Sequence, residues 1–208
     1  MLKARHSAFA RFVMNRYLPY IIGRQFRGLD FLNPPKLDKN CSVLLLANHF
    51  SWWDGFTQYE LNRRLLGKRY HVMMLEEELR KRPFLQGIGA FSVKKGTKSI
   101  LETLSYTHEA LNQPGNLVTI FPQGKIESLY QQDLTFEKGV FEIAKSLPEN
   151  GKMLYSITLP EYGSYPKPLI RAHFKEPPTE AFKNFESLRS SFLDHYRRAL
   201  NHQISTIE

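Results

Sequence analysis

The run Val43-Leu44-Leu45-Leu46-Ala47 ends abruptly in Asn48-His49-Phe50-Ser51-Trp52-Trp53-Asp54. That pattern reads as a strand that ends in a loop and feeds a helix. Strand ends are where a rigid scaffold presents reactive groups. Here the turn carries a histidine and an aspartate five positions apart. An imidazole oriented by a carboxylate can take a proton from a hydroxyl or amine near neutral pH. Ser51 and Asp54 also have the spacing of a capping box, with Ser51 as N-cap and Asp54 as the third helical residue. The two roles are compatible, because a first-turn aspartate points back toward the helix start, where His49 lies.

The rest of the chain alternates in the same way. A helix over 52–66 precedes a strand at Tyr70-His71-Val72-Met73-Met74-Leu75. A short helix from Glu76 to Arg82 is stopped by Pro83, and Phe91-Ser92-Val93 is a third strand. A helix from Ser99 to Gln113 has Ser99 and Glu102 as a second capping box and Gly115 just past its end. Leu117 to Phe121 is a fourth strand. A helix spans about 136–147, strands follow at 153–159 and 168–174, and a last helix starts near Pro178. The expected fold is α/β: a mixed, largely parallel sheet flanked by helices, the last two strands forming an antiparallel addition. Residues 1–208 are expected to form one domain.

Residues 1–28 read as an amphipathic helix joined to the rest through Asn33-Pro34-Pro35. Phe9, Phe12, Val13, Tyr17, Tyr20, Ile21 and Ile22 alternate with Lys3, Arg5, Arg11, Arg16, Arg24 and Arg27. Such a helix can lie among lipid headgroups or dock on its own domain. No apolar run approaches the roughly 20 residues needed to cross a bilayer, and no signal-peptide core is present. With a formal charge of +9, the chain is expected to meet an anionic partner. The basic residues come in dispersed pairs such as Arg63-Arg64, Lys94-Lys95 and Arg197-Arg198, a pattern of solvated faces rather than of a nucleic-acid groove. Cys41 is the single cysteine; it excludes an internal disulfide framework and fits a reducing compartment. No cluster has metal-ligand spacing, so no metal or cofactor is expected. His108 shares a helix face with Ile100, Leu104 and Leu111 and reads as a core histidine, whereas His195 and His202 read as surface residues.

Asn48-His49-x4-Asp54 resembles the first sequence block of the glycerophospholipid acyltransferases, the lysophosphatidate acyltransferase-like family. Three further segments follow in that family's order. Gly89-Ala90-Phe91-Ser92-Val93-Lys94-Lys95 resembles the second block, with Lys95 where the family has a phosphate-holding arginine. Phe121-Pro122-Gln123-Gly124-Lys125-Ile126-Glu127-Ser128 resembles the third, Phe-Pro-Glu-Gly-Thr-Arg-Ser, with Gln123, Lys125 and Ile126 as departures. Phe136-Glu137-Lys138-Gly139-Val140 resembles the Phe-x-x-Gly-x segment beyond it, where Gly139 would allow close packing. The resemblance covers roughly residues 40–175.

The resemblance implies acyl transfer from an acyl-CoA or acyl carrier protein thioester to a lysolipid hydroxyl, at the cytoplasmic face of a membrane. His49 would be the general base and Asp54 its orienting carboxylate. Lys95, Phe121, Pro122, Gln123, Gly124 and Lys125 would bind substrate, Gln123 by hydrogen-bonding the acceptor hydroxyl. No Gly-x-Ser-x-Gly elbow is present, in keeping with direct attack by the acceptor. The residues leave other readings open: a non-phosphate lipid alcohol or lyso-aminolipid as acceptor, a hydrolase, or a non-enzymatic lipid-binding protein. No nucleic-acid partner is expected.

Overall fold

The computed structural model describes residues 1–94 and 97–206. An extended N-terminal segment leads into helix α1 (Ala8–Gln25). Next come strands β1 (Gly28–Leu32) and β2 (Ser42–Ala47), helix α2 (Asp54–Leu61) with a π-helical turn over Asn62–Leu66, and strand β3 (Arg69–Leu75). Helix α3 (Glu76–Lys81), strand β4 (Ala90–Val93), helix α4 (Thr97–Leu111) and strand β5 (Asn116–Ile120) follow. Helix α5 (Gly139–Lys145), strands β6 (Gly151–Glu161) and β7 (Leu169–Lys175), and helix α6 (Phe185–Ser205) complete the chain.

The seven strands form one sheet in the order β1-β7-β6-β2-β5-β3-β4. Pairing is parallel throughout except between β6 and β7. The fold is therefore the mixed, largely parallel α/β sheet expected, and its final hairpin is the antiparallel addition. Val43 to Ala47 of the central strand are all buried. Their alternation sends Leu44 and Leu46 into a core beneath α4, α5 and α6, while Val43 and Leu45 enter a core beneath α1, α2 and α3. Burial on both faces explains why β2 is continuously apolar rather than alternating.

Several local expectations are corrected. β1 lies within and just beyond the segment expected to be helix and connector; it is a five-residue edge strand on β7, half-exposed throughout. α6 begins at Phe185, capped by the Asn184 side chain, after a 3-10 turn over Thr179–Phe182. Ser99 is not an N-cap. It lies inside α4, and its carbonyl accepts the Thr103 hydroxyl at 2.8 Å. His108 is exposed, because α4 buries Thr103, Thr107, Ala110 and Leu111 instead. His195 is buried, its Nε2 3.0 Å from the His173 carbonyl. A Cβ on Gly139 would meet nothing within 4 Å, so that glycine serves no close approach.

Gly89 does require its residue type. Its φ is +113°, and a Cβ there would lie 1.9 Å from the Tyr70 carbonyl oxygen. Only glycine lets the backbone enter β4 so close to β3. Parallel pairing then brings the ends of β2, β5, β3 and β4 to one edge of the sheet. His49 leaves β2 at that edge and Phe121 leaves β5 beside it.

Candidate active site

The side chain of Asn48 anchors the exit from β2. Its Nδ2 donates to the Thr158 carbonyl at 3.0 Å, and its Oδ1 accepts the Thr158 N–H at 2.8 Å. These bonds continue the β2–β6 pairing one step beyond the strand. The next residue, His49, therefore starts from a fixed point.

The imidazole of His49 stacks on Phe121, with ring centroids 4.4 Å apart and planes at 22°. Its Nδ1 lies 2.8 Å from Asp54 Oδ2. The same carboxylate oxygen accepts the N–H groups of Phe50 at 2.7 Å and Ser51 at 2.8 Å. The expected capping box is not formed: α2 begins at Asp54 with Trp53 as its N-cap, so the bond to Ser51 closes the turn before the helix, and Ser51 Oγ accepts the N–H of Trp53 at 3.1 Å. Asp54 is 1 % exposed, while the His49 side chain is 22 % exposed. Burial pushes the Asp54 carboxyl above its ordinary range, against the pull of His49 and the two backbone donors. A carboxylate facing Nδ1 favours the tautomer that carries its proton there and leaves the lone pair on Nε2.

The turn after β5 closes around the same histidine. Gln123 Oε1 accepts the His49 N–H at 2.6 Å, and Gln123 Nε2 donates to the His49 carbonyl at 3.1 Å and to Glu127 Oε2 at 3.2 Å. The Gln123 amide is 1 % exposed and engaged at both ends. This corrects the expectation that it offers a hydrogen bond to an acceptor hydroxyl. Pro122 is buried, its carbonyl accepting the Glu137 N–H at 2.8 Å. Gly124 turns the chain at φ +65°. Lys125 is exposed, with its Nζ 3.4 Å from Glu127 Oε1, and Ile126 is exposed beside it. Lys95 lies outside the described residues.

Glu127 is the residue to which the sequence reading assigned no role. It is buried. Its N–H donates to the His49 carbonyl at 3.0 Å, and its carboxylate accepts the Thr135 N–H at 3.0 Å and the Thr135 hydroxyl. Burial alone would raise this carboxyl. The Thr135 bonds, with Gln123 and Lys125, outweigh burial and hold it below the usual range. The available signal was its place four residues beyond Gln123.

Among the described residues, no group of three or more His, Cys, Asp or Glu is placed to hold a metal ion. No described helix is long and apolar enough to cross a membrane.

A strand-end imidazole–carboxylate pair on a largely parallel sheet defines the class: an α/β protein with groups arranged for proton transfer. The family follows from comparison, since the Acyltransferase family model matches residues 27–159. The chain belongs to that family and is an acyltransferase. Its fold is similar to that of the 1-acyl-sn-glycerophosphate (LPA) acyltransferase PlsC from Thermotoga maritima, at 15% sequence identity and a TM-score of 0.61, covering 93% of this chain and 81% of that one. No curated protein matches the chain.

Proposed function

We propose that the protein transfers a fatty acyl group from an acyl-CoA or acyl carrier protein thioester to the hydroxyl of a lysophospholipid or related lipid acceptor. His49 is the general base and Asp54 orients it. The observation that carries this reading is the 2.8 Å contact between His49 Nδ1 and Asp54 Oδ2, on a partly exposed ring with no hydrogen bond to Nε2 among the described residues.

In the proposed reaction, Nε2 takes the acceptor hydroxyl proton as the oxygen attacks the thioester carbonyl. The carbon–oxygen bond forms, and the tetrahedral oxyanion collapses with cleavage of the carbon–sulfur bond. The departing thiolate takes the proton back from the imidazolium. Asp54 stabilises that imidazolium while it exists. No acyl-enzyme is needed, so the cycle leaves the protein unchanged.

A membrane-surface location is supported by α1. Phe9, Phe12, Val13, Tyr17 and Tyr20 are exposed, while Leu18 and Ile22 face the core. Arg11, Arg16 and Arg24 lie on the same helix. An aromatic and basic outer face suits an anionic headgroup layer, here the cytoplasmic leaflet. Two observations bear on the acceptor. Lys125 is ion-paired to Glu127, and Ile126 stands where the family's arginine would be. They favour a second reading, an acceptor without a phosphate.

One assay series tests these readings. Thioester consumption is measured with lysophosphatidate, lyso-aminolipids and plain lipid alcohols, each presented in anionic vesicles, with co-sedimentation recorded. Transfer to lysophosphatidate alone removes the second reading, and failure to sediment removes the membrane location. His49→Ala should lower transfer by about 10²–10⁴ while circular dichroism stays native. Undiminished transfer in that variant would eliminate the proposed base.

A further inference from the structure

We infer that Gln123 and Glu127 are positioning residues that fix His49, with the carboxylate of the third block moved from position 123 to position 127; this rests on the reading of His49 as the base. The primary amide of glutamine presents an acceptor and a donor side by side, as a peptide group does. Gln123 uses both against the N–H and C=O of His49, at 2.6 and 3.1 Å. That is the pairing a neighbouring strand would make. It occurs just where the β2–β5 ladder has ended, at Leu46 opposite Ile120. The side chain therefore stands in for missing backbone and keeps His49 on the sheet edge.

Glu127 completes the arrangement. Its carboxylate takes the second N–H of the Gln123 amide, which fixes which end of that amide faces which way. Its own N–H makes a second bond to the His49 carbonyl. Its remaining acceptor sites hold Thr135 and, through an ion pair, Lys125. Buried donors and acceptors are matched, and both residues lie within the fold rather than at its surface. A glutamate at 123, the residue the family pattern carries, would have no N–H for the His49 carbonyl. It would also set a second carboxylate about 3.2 Å from Glu127, where two like charges are costly.

The test is a charge-exchange cycle on full-length protein, reading kcat, KM for the acyl thioester and the pH–rate profile. Gln123→Glu should lower kcat at least about tenfold, since small misplacements of reacting groups cost up to about 10²-fold. KM should change little. The rising limb of the profile should move to higher pH, because the added negative charge favours the imidazolium. Combining Gln123→Glu with Glu127→Gln removes the like-charge contact but not the missing donor to the His49 carbonyl, so it should return the rising limb toward its wild-type position and restore only part of the kcat. Should Gln123→Glu fail to fold, Gln123→Met keeps the shape without the bonds, and kcat should fall with the limb unmoved. Wild-type kcat in Gln123→Glu or Gln123→Met, or a double variant no better than Gln123→Glu alone, overturns the proposal. His49→Ala separates the two inferences. Activity in His49→Ala removes the base itself, whereas a dead His49→Ala beside a fully active Gln123→Glu removes only the positioning role.

Discussion

The turn after β2 and the turn after β5 meet at one imidazole but are built by opposite means. The first is local. Asp54 Oδ2 collects the His49 ring and the N–H groups of Phe50 and Ser51, all within five residues. The second is long-range. Gln123 and Glu127 bind the backbone of His49, more than 70 residues away in sequence. The local turn contacts the ring of His49 and the long-range turn contacts its backbone. On the proposed mechanism, chemistry at this edge needs both, so damage to either should be distinguishable by what it changes.

The largest effect is expected from Asp54→Ala, which strips the local turn of its acceptor. Three donors lose their partner, and the imidazole loses its counter-charge. Acyl transfer should fall by about 10²–10⁴, and urea unfolding should show a loss of about 1–3 kcal/mol. Near-normal turnover would mean that the local turn is only structural. Gly124→Ala probes the long-range turn without touching a hydrogen bond. At φ +65° an added Cβ should cost about 1–2 kcal/mol, and the Glu137 side chain, 3.0 Å from that Cβ, must give way. Activity should drop much less than in Asp54→Ala; an unchanged melting temperature would show that the turn does not depend on its left-handed glycine.

The smallest effect at the site comes from acid, which acts elsewhere and so serves as a control. His6 and His71 face each other with ring centroids 4.5 Å apart. Among the described residues, His71 finds no hydrogen-bond partner for either ring nitrogen. Burial, with Arg69 and Arg11 nearby, lowers His6 to about 4; burial, with His6 and Arg69, lowers His71 to about 3. An unfolded histidine titrates near 6.5, so the unfolded chain binds more protons from about pH 6.5 down to about 4 for His6 and about 3 for His71. Stability should be fully present above that window and fall as pH drops through it. Urea midpoints at pH 7.5, 6 and 5 should decline in that order for wild type and less steeply for His71→Phe. Equal slopes for the two proteins would acquit this pair.

The sequence reading succeeded where the forces are local or the pattern is strong. The run from Val43 to Ala47 identified the central strand, and the five-residue spacing anticipated the His49–Asp54 contact. It failed where a polar residue could satisfy itself. Thr103 and Thr107 look like surface positions. Yet their hydroxyls donate to the carbonyls of Ser99 and Thr103, four residues back, at 2.8 and 2.7 Å. They can then be buried, and α4 turns Ile100, Leu101 and His108 outward. His195 was misread in the converse way. It lies at helical spacing with Leu188, Phe192 and Ala199, and the His173 carbonyl satisfies its Nε2. That partner comes from β7, so helix periodicity could suggest the burial but could not supply the bond.

By itself, the sequence determined the alternation of strands and helices, the central buried strand and the histidine–aspartate turn, because each follows from apolar patterning or from neighbours a few residues apart. Only the tertiary structure decided that Gln123 faces the His49 backbone, that Glu127 holds it there, and which faces of α1 and α4 meet solvent. Those outcomes depend on which distant donors and acceptors remain unpaired once the sheet has formed. That matching is made in space, and no spacing along the chain records it.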